Sequence, residues 1–511
     1  MERYCVECEH AIEKAEGIDL MLLGIGRSGH VGFNEPGSSE DTRTRMIVLD
    51  EITRKDAASD FFGEENVPQE AITTGVGTIL DADEIILMAT GKHKAPIVQK
   101  AVEEPPTRKI TASYLQEHRN ATFYVDRAAG GELTRVKTPW LVREVDWTRQ
   151  GSKQAVIWLS QTLDKAIPHL ESGDFYRNQL HGLLHRYDHI DDLTREVFED
   201  LHQRIKYQED IISGERIIVF SPHPDDDVIS MGDMLGTLVE NENDVTVACM
   251  TSGNVAVFDA DVRRYLRFIE LSSEALSMDE EDLGGFRERR GKIETFFGDK
   301  DPGEVDLPEV QDLKAHIRAG EAVAATGVIG LDPDDVRFLD MPFYKTGRVR
   351  KDPISEADVE VVLDLLEDIQ PTHIFVAGDL SDPHGTHRMC YQAIDKALQQ
   401  YRGTVAGGNG EASEMKADPR VWLYRGAWQE WEIHRADVFL PLSKADLDRK
   451  VEAIYKHESQ KDRAMFPGAY NEREFWQRAR DRNRDTADTL NQLGLPEFYA
   501  AEAFVTIDEM P

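Results

Sequence analysis

Cysteine is scarce in this chain: four occur in 511 residues, Cys5, Cys8, Cys249 and Cys390. A scaffold held by disulfides is therefore excluded, and Cys5-Val-Glu-Cys8, with no second pair, does not make a zinc ribbon. Long apolar runs are missing as well, none approaching the ~20 residues of a membrane span. The opening MERYCVECEH carries charge where a secretory signal has its apolar stretch. Positive charge is in short supply, with 59 Lys+Arg against 96 Asp+Glu, a net charge of −37. That balance repels phosphate backbones and anionic headgroups, so neither nucleic acid nor a membrane is expected as a partner. Only 21 of the 59 cations are lysine, a usage suited to a salt-rich cytoplasm where counterions screen self-repulsion. The expectation is a cytoplasmic protein with a small-molecule substrate, with homo-oligomerisation left open.

What is present supports a packed, multidomain α/β protein. Hydrophobic residues make up 40% of the chain, and the length predicts more than one domain at ~150 residues each. In the first ~145 residues, apolar runs at Ile18–Ile25, Arg45–Leu49, Glu84–Ala89 and Thr122–Val125 read as buried strands. Helical patterns at Thr53–Phe62 and Lys94–Val102 fall between them. This alternation predicts a Rossmann-like parallel sheet. Residues 146–210 lack strands and read as a helical connector. A second α/β series fills 211–511, with strands expected at Arg216–Phe220, Asp244–Met250, Val336–Leu339, His373–Val376 and Val438–Leu440. The acidic stretch Ser277–Pro308 reads as a surface insertion and Thr404–Glu414 as a loop.

Two segments carry chemistry. The first is Gly24-Ile-Gly26-Arg-Ser-Gly29 after an apolar strand, with Asp50 ending the next strand. It matches a dinucleotide fingerprint literally, but that fingerprint needs a helix to follow. The continuation His30-Val-Gly32-Phe-Asn34-Glu35-Pro36-Gly37 has no helical period. What remains is an imidazole and a carboxylate five residues apart on a glycine-rich loop, a usable proton shuttle or a histidine satisfied within a tight turn.

LLGIGRSGHVGFNEPGSS resembles the glucosamine-6-phosphate deaminase/isomerase family. The resemblance continues through Thr42-Arg43-Thr44-Arg45, Phe61-Phe62, VPQEAITTGVGTILDADEIILMATGKHKA and TFYVD. It implies that His30 assists sugar ring opening with support from Glu35, and that Lys94 helps hold a sugar phosphate. Arg43 and Arg45 are further candidates for contact with that phosphate. Three departures stand out. Ser28 replaces the family's aspartate two residues before the histidine, and Asp60 replaces a phosphate-contacting arginine. The resemblance also covers the second half of the family only. The Ser/Gly/Thr phosphate loop and the aspartate that abstracts the C2 proton belong to the first half, so deaminase activity is expected of a fuller-length protein.

The second segment is RIIVFSPHPDDDVISMG, which sets His223, Asp225, Asp226 and Asp227 between a strand and a helix. Three successive carboxylates repel one another unless a cation or a helix N-terminus offsets them. A later loop, Gly378-Asp-Leu-Ser-Asp-Pro-His384-Gly-Thr-His387, again joins a strand to a helix. Two histidines and one aspartate make a three-ligand site with a position left for water, the usual form of catalytic zinc. Zinc lowers the pKa of bound water from ~15.7 toward ~7. Read blandly, HPDDD is an acidic N-cap and PHGTH a surface turn.

The paired motifs resemble the PIG-L/LmbE family of zinc-dependent N-deacetylases, from about Arg216 onward. That resemblance implies Zn2+ bound by His223, Asp226 and His387, and Asp225 as general base. It implies His384 as oxyanion stabiliser or general acid, and Arg425 as a substrate contact. Asp227 stands where Glu is usual. His457-Glu-Ser459-Gln460, expected on a helix Lys444–Glu458, is similar to a family H-x-S-Q element. The expected function is zinc-dependent N-deacetylation of an N-acetyl amino sugar, with N-acetylglucosamine 6-phosphate as the candidate substrate. Deamination of glucosamine 6-phosphate and a non-catalytic sugar-phosphate regulator are the alternatives.

Overall fold

The computed structural model describes all residues except 59–60, 62–65, 274, 302, 349–350, 381–384, 407–417, 427–428, 462–472 and 508–511. The chain folds as two compact units, Met1–Asp146 and a second that begins at Trp147.

The first unit contains β1 (Leu20–Gly24), β2 (Arg45–Val48), β3 (Glu70–Thr73), β4 (Glu84–Ala89) and β5 (Ala121–Val125). Strands β1, β4 and β5 form a parallel sheet in the order β1-β4-β5. Leu23, Ile85 and Leu87 point to a core completed by Val31, Ile79 and Val98. The opposite face is also apolar but bare, with Leu22, Met88 and Tyr124 exposed at 57%, 51% and 60%. Parallel sheets are ordinarily covered on both faces. The run Arg45–Leu49 is not a buried strand of this sheet. Instead β2 pairs antiparallel with β3 in a separate ribbon, and its side chains alternate between half-buried and exposed. Alternation of that kind suits a ribbon with one solvated side.

The second unit is built on a seven-stranded sheet. To β6 (Arg216–Ser221), β7 (Asp244–Cys249), β8 (Val336–Phe338), β9 (His373–Ala377) and β11 (Val438–Leu442) it adds two strands not anticipated from sequence, β10 (Arg420–Tyr424) and β12 (Ala500–Ile507). The order is β11-β12-β10-β9-β6-β7-β8, with β12 antiparallel to both neighbours. The alanine-rich β12 has little intrinsic strand signal, and its place is set by packing. The helices of the connector, including Arg149–Leu163 and Ile190–Gln203, belong to this unit. Ile205 bridges to Phe439, and Arg204 reaches Asp437 at 2.9 Å, so the edge strand β11 is partly covered.

The acidic insertion is helical over Glu280–Asp299 and closes a satellite core of Val257, Val262, Leu266, Ile293, Val310 and Ile317. It is tied down by two lysines alternating with two aspartates. Lys314 lies 2.6 Å from Asp259 and 2.7 Å from Asp306, and Lys300 lies 3.0 and 2.6 Å from the same pair. The expected loop at Thr404 begins inside a helix that runs Thr386–Ala406, and 407–414 lie outside the described residues.

His434 lies half-buried, with its carbonyl accepting from Gln150 Nε2 at 2.8 Å. Burial pushes its imidazole down to about 4. A histidine held neutral in the folded state contributes stability that is complete above the unfolded pKa of ~6.5 and is lost as pH falls from there toward 4. Denaturant midpoints measured between pH 7.5 and 4.5 are expected to fall less steeply for His434→Gln than for the parent chain.

Candidate metal and catalytic site

β6 and β9 are neighbours, and each delivers a loop into the next helix at its carboxyl end, where ligands gather in open α/β sheets. After Ser221 the chain runs Pro222-His223-Pro224, two fixed φ angles that leave little freedom, and enters the helix Asp226–Glu240. Ser221 Oγ lies 2.6 Å from the His223 carbonyl and 2.9 Å from Asp227 Oδ1, and accepts from the Asp227 N–H at 3.1 Å. Acidic side chains at this helix start also face the positive end of its dipole.

His223, Asp226 and His387 converge, with one donor atom from each lying within 4.8 Å of the others. Asp226 Oδ2 is 3.1 Å from His223 Nδ1 and 3.1 Å from His387 Nε2, and accepts from the His223 N–H at 2.9 Å. His387, 1% exposed, turns its other nitrogen, Nδ1, to the Asp379 carbonyl at 2.9 Å. A hydrogen bond there fixes the tautomer and presents Nε2 to the cluster. Burial would push Asp226 up, but His387 and His223 outweigh it and hold the carboxyl well below the usual range. Asp227 has no such partners, and burial pushes it up to about 6. Two imidazoles and a carboxylate at this spacing fit a small divalent cation.

Asp225, next in sequence to Asp226, pairs with Arg318 Nη2 at 3.0 Å. Arg318 lies on the helix Pro308–Ile329 and is 2% exposed. Among the described residues its Nε and Nη1 have no hydrogen-bond partner. One turn on, Glu321 accepts from the Ser459 N–H and hydroxyl, both at 2.7 Å. Sequence reading missed Arg318 and Glu321, because an R-x-x-E pair on an amphipathic helix looks like surface charge. It also extended the Lys444 helix too far. That helix stops at Ile454, since His457 and Ser459 fold into the turn that packs beside Arg318. His457 is buried, burial pushes its imidazole down to about 4, and neither ring nitrogen is hydrogen-bonded among the described residues.

Arg425 is half-buried behind the second loop. Its guanidinium carbon stacks 3.7 Å from the centre of the Trp431 ring and Nε donates to the Gly378 carbonyl at 3.0 Å. Asp379 accepts from the Gln429 N–H and Nε2 at 2.9 and 3.0 Å. These contacts brace the loop that carries His387. His384 lies outside the described residues.

In the first unit, His30 Nδ1 lies 2.9 Å from Ser28 Oγ and 3.3 Å from Glu35 Oε2. Burial opposes ionisation of Glu35, yet hydrogen bonds from His30 and Thr53 leave its carboxyl below the ordinary value. Gly26 is indispensable to this arrangement, because a β-carbon there would lie 2.1 Å from His30 Cε1. Gly26→Ala is expected to expel the ring, which would appear as a shift of the His30 signal in a histidine-resolved NMR titration. The two arginines are committed to protein partners. Arg43 pairs with Asp81, while Arg45 donates to Asn34 Oδ1 at 2.9 Å and Ser38 Oγ at 2.8 Å. Lys94 is pushed down by burial, against the pull of Asp56, which Arg27 meets at 2.6 Å. Arg27 and Asp56 were not singled out from sequence. Asp60 lies outside the described residues.

A putative glucosamine-6-phosphate deaminase-like protein of Bacteroides thetaiotaomicron is 43% identical to this chain, over 98% of the chain and 76% of its own length. The chain belongs to that deaminase-like family. Residues 1–124 match the glucosamine-6-phosphate isomerases/6-phosphogluconolactonase family, and residues 218–398 match the GlcNAc-PI de-N-acetylase family, PIG-L. The glucosamine-6-phosphate deaminase of Corynebacterium urealyticum is 53% identical over 25% of the chain, and the match covers 49% of its own length. The chain thus spans about half the length of the curated deaminases it matches. Among solved structures, the N,N'-diacetylchitobiose deacetylase of Pyrococcus horikoshii is 16% identical with a TM-score of 0.36, over 62% of this chain and 91% of that one. This chain thus carries a match to each of the two families, one in its first 124 residues and one within 218–398.

Proposed function

We propose that the second unit is a zinc-dependent N-deacetylase acting on an N-acetyl amino sugar, with N-acetylglucosamine 6-phosphate as the substrate to test first. The observation that carries this is the convergence of His223, Asp226 and His387, with Asp225 beside them on a buried arginine. His223, Asp226 and His387 would hold a divalent metal, which would supply polarisation of water and of the acetamide carbonyl. Asp225 accepts the proton of the attacking water. Arg318 holds that carboxylate in one orientation from a dry wall, where reorganisation at the moment of reaction is small. His384 is assigned the leaving amine or the developing oxyanion by its position in the motif. The acetyl C–N bond breaks, the nitrogen takes up a proton, and acetate and a free amine are released.

For the first unit the reading is a hexosamine-phosphate site in which His30 and Glu35 serve the ring oxygen. The His30–Glu35 contact at 3.3 Å supports it. Each reading has its own test on the full chain. Acetate is expected from N-acetylglucosamine 6-phosphate, and glucosamine 6-phosphate is expected to shift the His30 signal in a histidine-resolved NMR titration. No acetate from any N-acetyl amino sugar would sink the deacetylase reading, and an unmoved His30 signal would overturn the hexosamine-phosphate reading.

A further inference from the structure

A cavity of about 670 Å3, lined by Val305, Thr346, Arg348, Lys351, Asp352 and Pro353, lies on the segment that follows β8. Its shape is set by a tight turn. Gly347 adopts φ +65°, and a β-carbon there would lie 2.6 Å from Gln311 Nε2, so the turn is pressed onto the helix Pro308–Ile329. The Arg348 N–H donates to Thr346 Oγ1 at 3.1 Å, and Lys351 Nζ donates to the Arg348 carbonyl at 2.8 Å. Lys351 Nζ also sits 3.7 Å from the centre of the Tyr344 ring.

Two cations, Arg348 and Lys351, and one carboxylate, Asp352, line this cavity. Lys345 nearby is paired with Asp340 at 2.9 Å. Lys351 is not ion-paired among the described residues, and burial alone pushes its ammonium down to about 8. A desolvated cation without a counter-ion is costly, and an anion entering the cavity would offset that cost. In a chain of net charge −37, such an anion needs local cations to overcome the global field. Arg348 adds a planar fork suited to two phosphate oxygens.

The cavity also lies in register with the metal site. Gln311, which the turn touches, and Arg318, which holds Asp225, are seven residues apart on one helix. Seven residues return to nearly the same helix face after a rise of ~10 Å. Tyr344 is buried beside Thr251 and within the electrostatic field of both Arg318 and Asp225.

We propose that this cavity is an anion subsite in which Arg348 and Lys351 take the phosphate of a phosphorylated N-acetyl amino sugar. The proposal rests on the deacetylase reading for its substrate but not for its anion. Two measurements on the full chain separate the two. In the first, kcat/KM for acetate release is compared between N-acetylglucosamine 6-phosphate and N-acetylglucosamine. Arg348→Ala and Lys351→Met, the latter keeping the apolar stem over Tyr344, should each lower the ratio roughly ten- to hundredfold. In the second, Lys351 is acetylated by acetic anhydride at pH 8 and the modified peptide is quantified. N-acetylglucosamine 6-phosphate should slow that labelling at least tenfold, whereas N-acetylglucosamine should not. Acetate release without a phosphate preference, and no protection of Lys351, would overturn the subsite while leaving the deacetylase intact. Protection by the phosphorylated sugar without acetate release would uphold the subsite and refute the deacetylase.

Discussion

Asp225→Asn is expected to lower kcat for acetate release by roughly 10²–10⁴-fold, the range over which a positioned general base contributes. Bound metal should stay at the parent level, because His223, Asp226 and His387 are untouched. Asparagine keeps the shape of the side chain but cannot accept a proton. It also leaves Arg318, 2% exposed, facing an amide instead of a carboxylate at 3.0 Å. Some stability is therefore lost as well, and kcat must be read at a temperature where the variant is folded by circular dichroism. A fall in kcat with metal content preserved separates base from ligand. A parallel loss of metal would mean that Asp225 ligates, and an unchanged kcat would remove it from the reaction.

The second large effect is on stability. The helix Asp226–Glu240 is interrupted at Met231, whose φ of −134° and ψ of 32° lie outside the helical range. An interruption strands backbone groups on both sides. Glu502 accepts from the N–H groups of Asp233 and Met234 at 3.1 and 2.9 Å, acting as a cap for the second segment. Lys450 donates to the Ser230 carbonyl at 3.3 Å, to Asn483 Oδ1 at 2.9 Å and to Glu502 at 2.6 Å. Both charged residues are 1% exposed. Breaking such a pair from one side leaves a buried charge uncompensated, at a cost of ~3–5 kcal/mol. Lys450→Met is expected to lose that much in chemical denaturation, although its stem can still pack near Gly232. Adding Glu502→Gln should recover part of the loss, since the amide oxygen can still cap while the orphan charge is gone. Equal stability of the parent and Lys450→Met would refute the account of a buried, mutually compensating pair.

These two cases mark how far the sequence was legible. The convergence of His223, Asp226 and His387 was readable because His223 and Asp226 share one short turn after β6, so local spacing alone brings them together. His387 follows because β9 lies next to β6. Arg318 and Lys450 were not readable. Each is a cation on an amphipathic helix, where charge is ordinarily solvated, and their partners are 93 and 52 positions away in sequence. The strand Arg45–Val48 was found but misplaced, since a short apolar run does not reveal whether its neighbours are parallel. Arg43 and Arg45 carried the right charge for a phosphate, and only the fold reveals Asp81, Asn34 and Ser38 as their partners.

The −37 charge also takes on a more definite meaning. Carboxylates at Asp225 and Asp226 are gathered where a helix N-terminus, Arg318 and two imidazoles favour them.

The central claim is tested most directly by metal add-back. The purified chain is stripped with a chelator and dialysed, and acetate release from N-acetylglucosamine 6-phosphate is followed while Zn2+ is titrated in. Activity is expected to vanish on stripping and to return with a single equivalent of zinc, and His387→Ala should bind no stoichiometric zinc and recover nothing. Acetate release that survives stripping, or that returns equally in His387→Ala, would contradict the account.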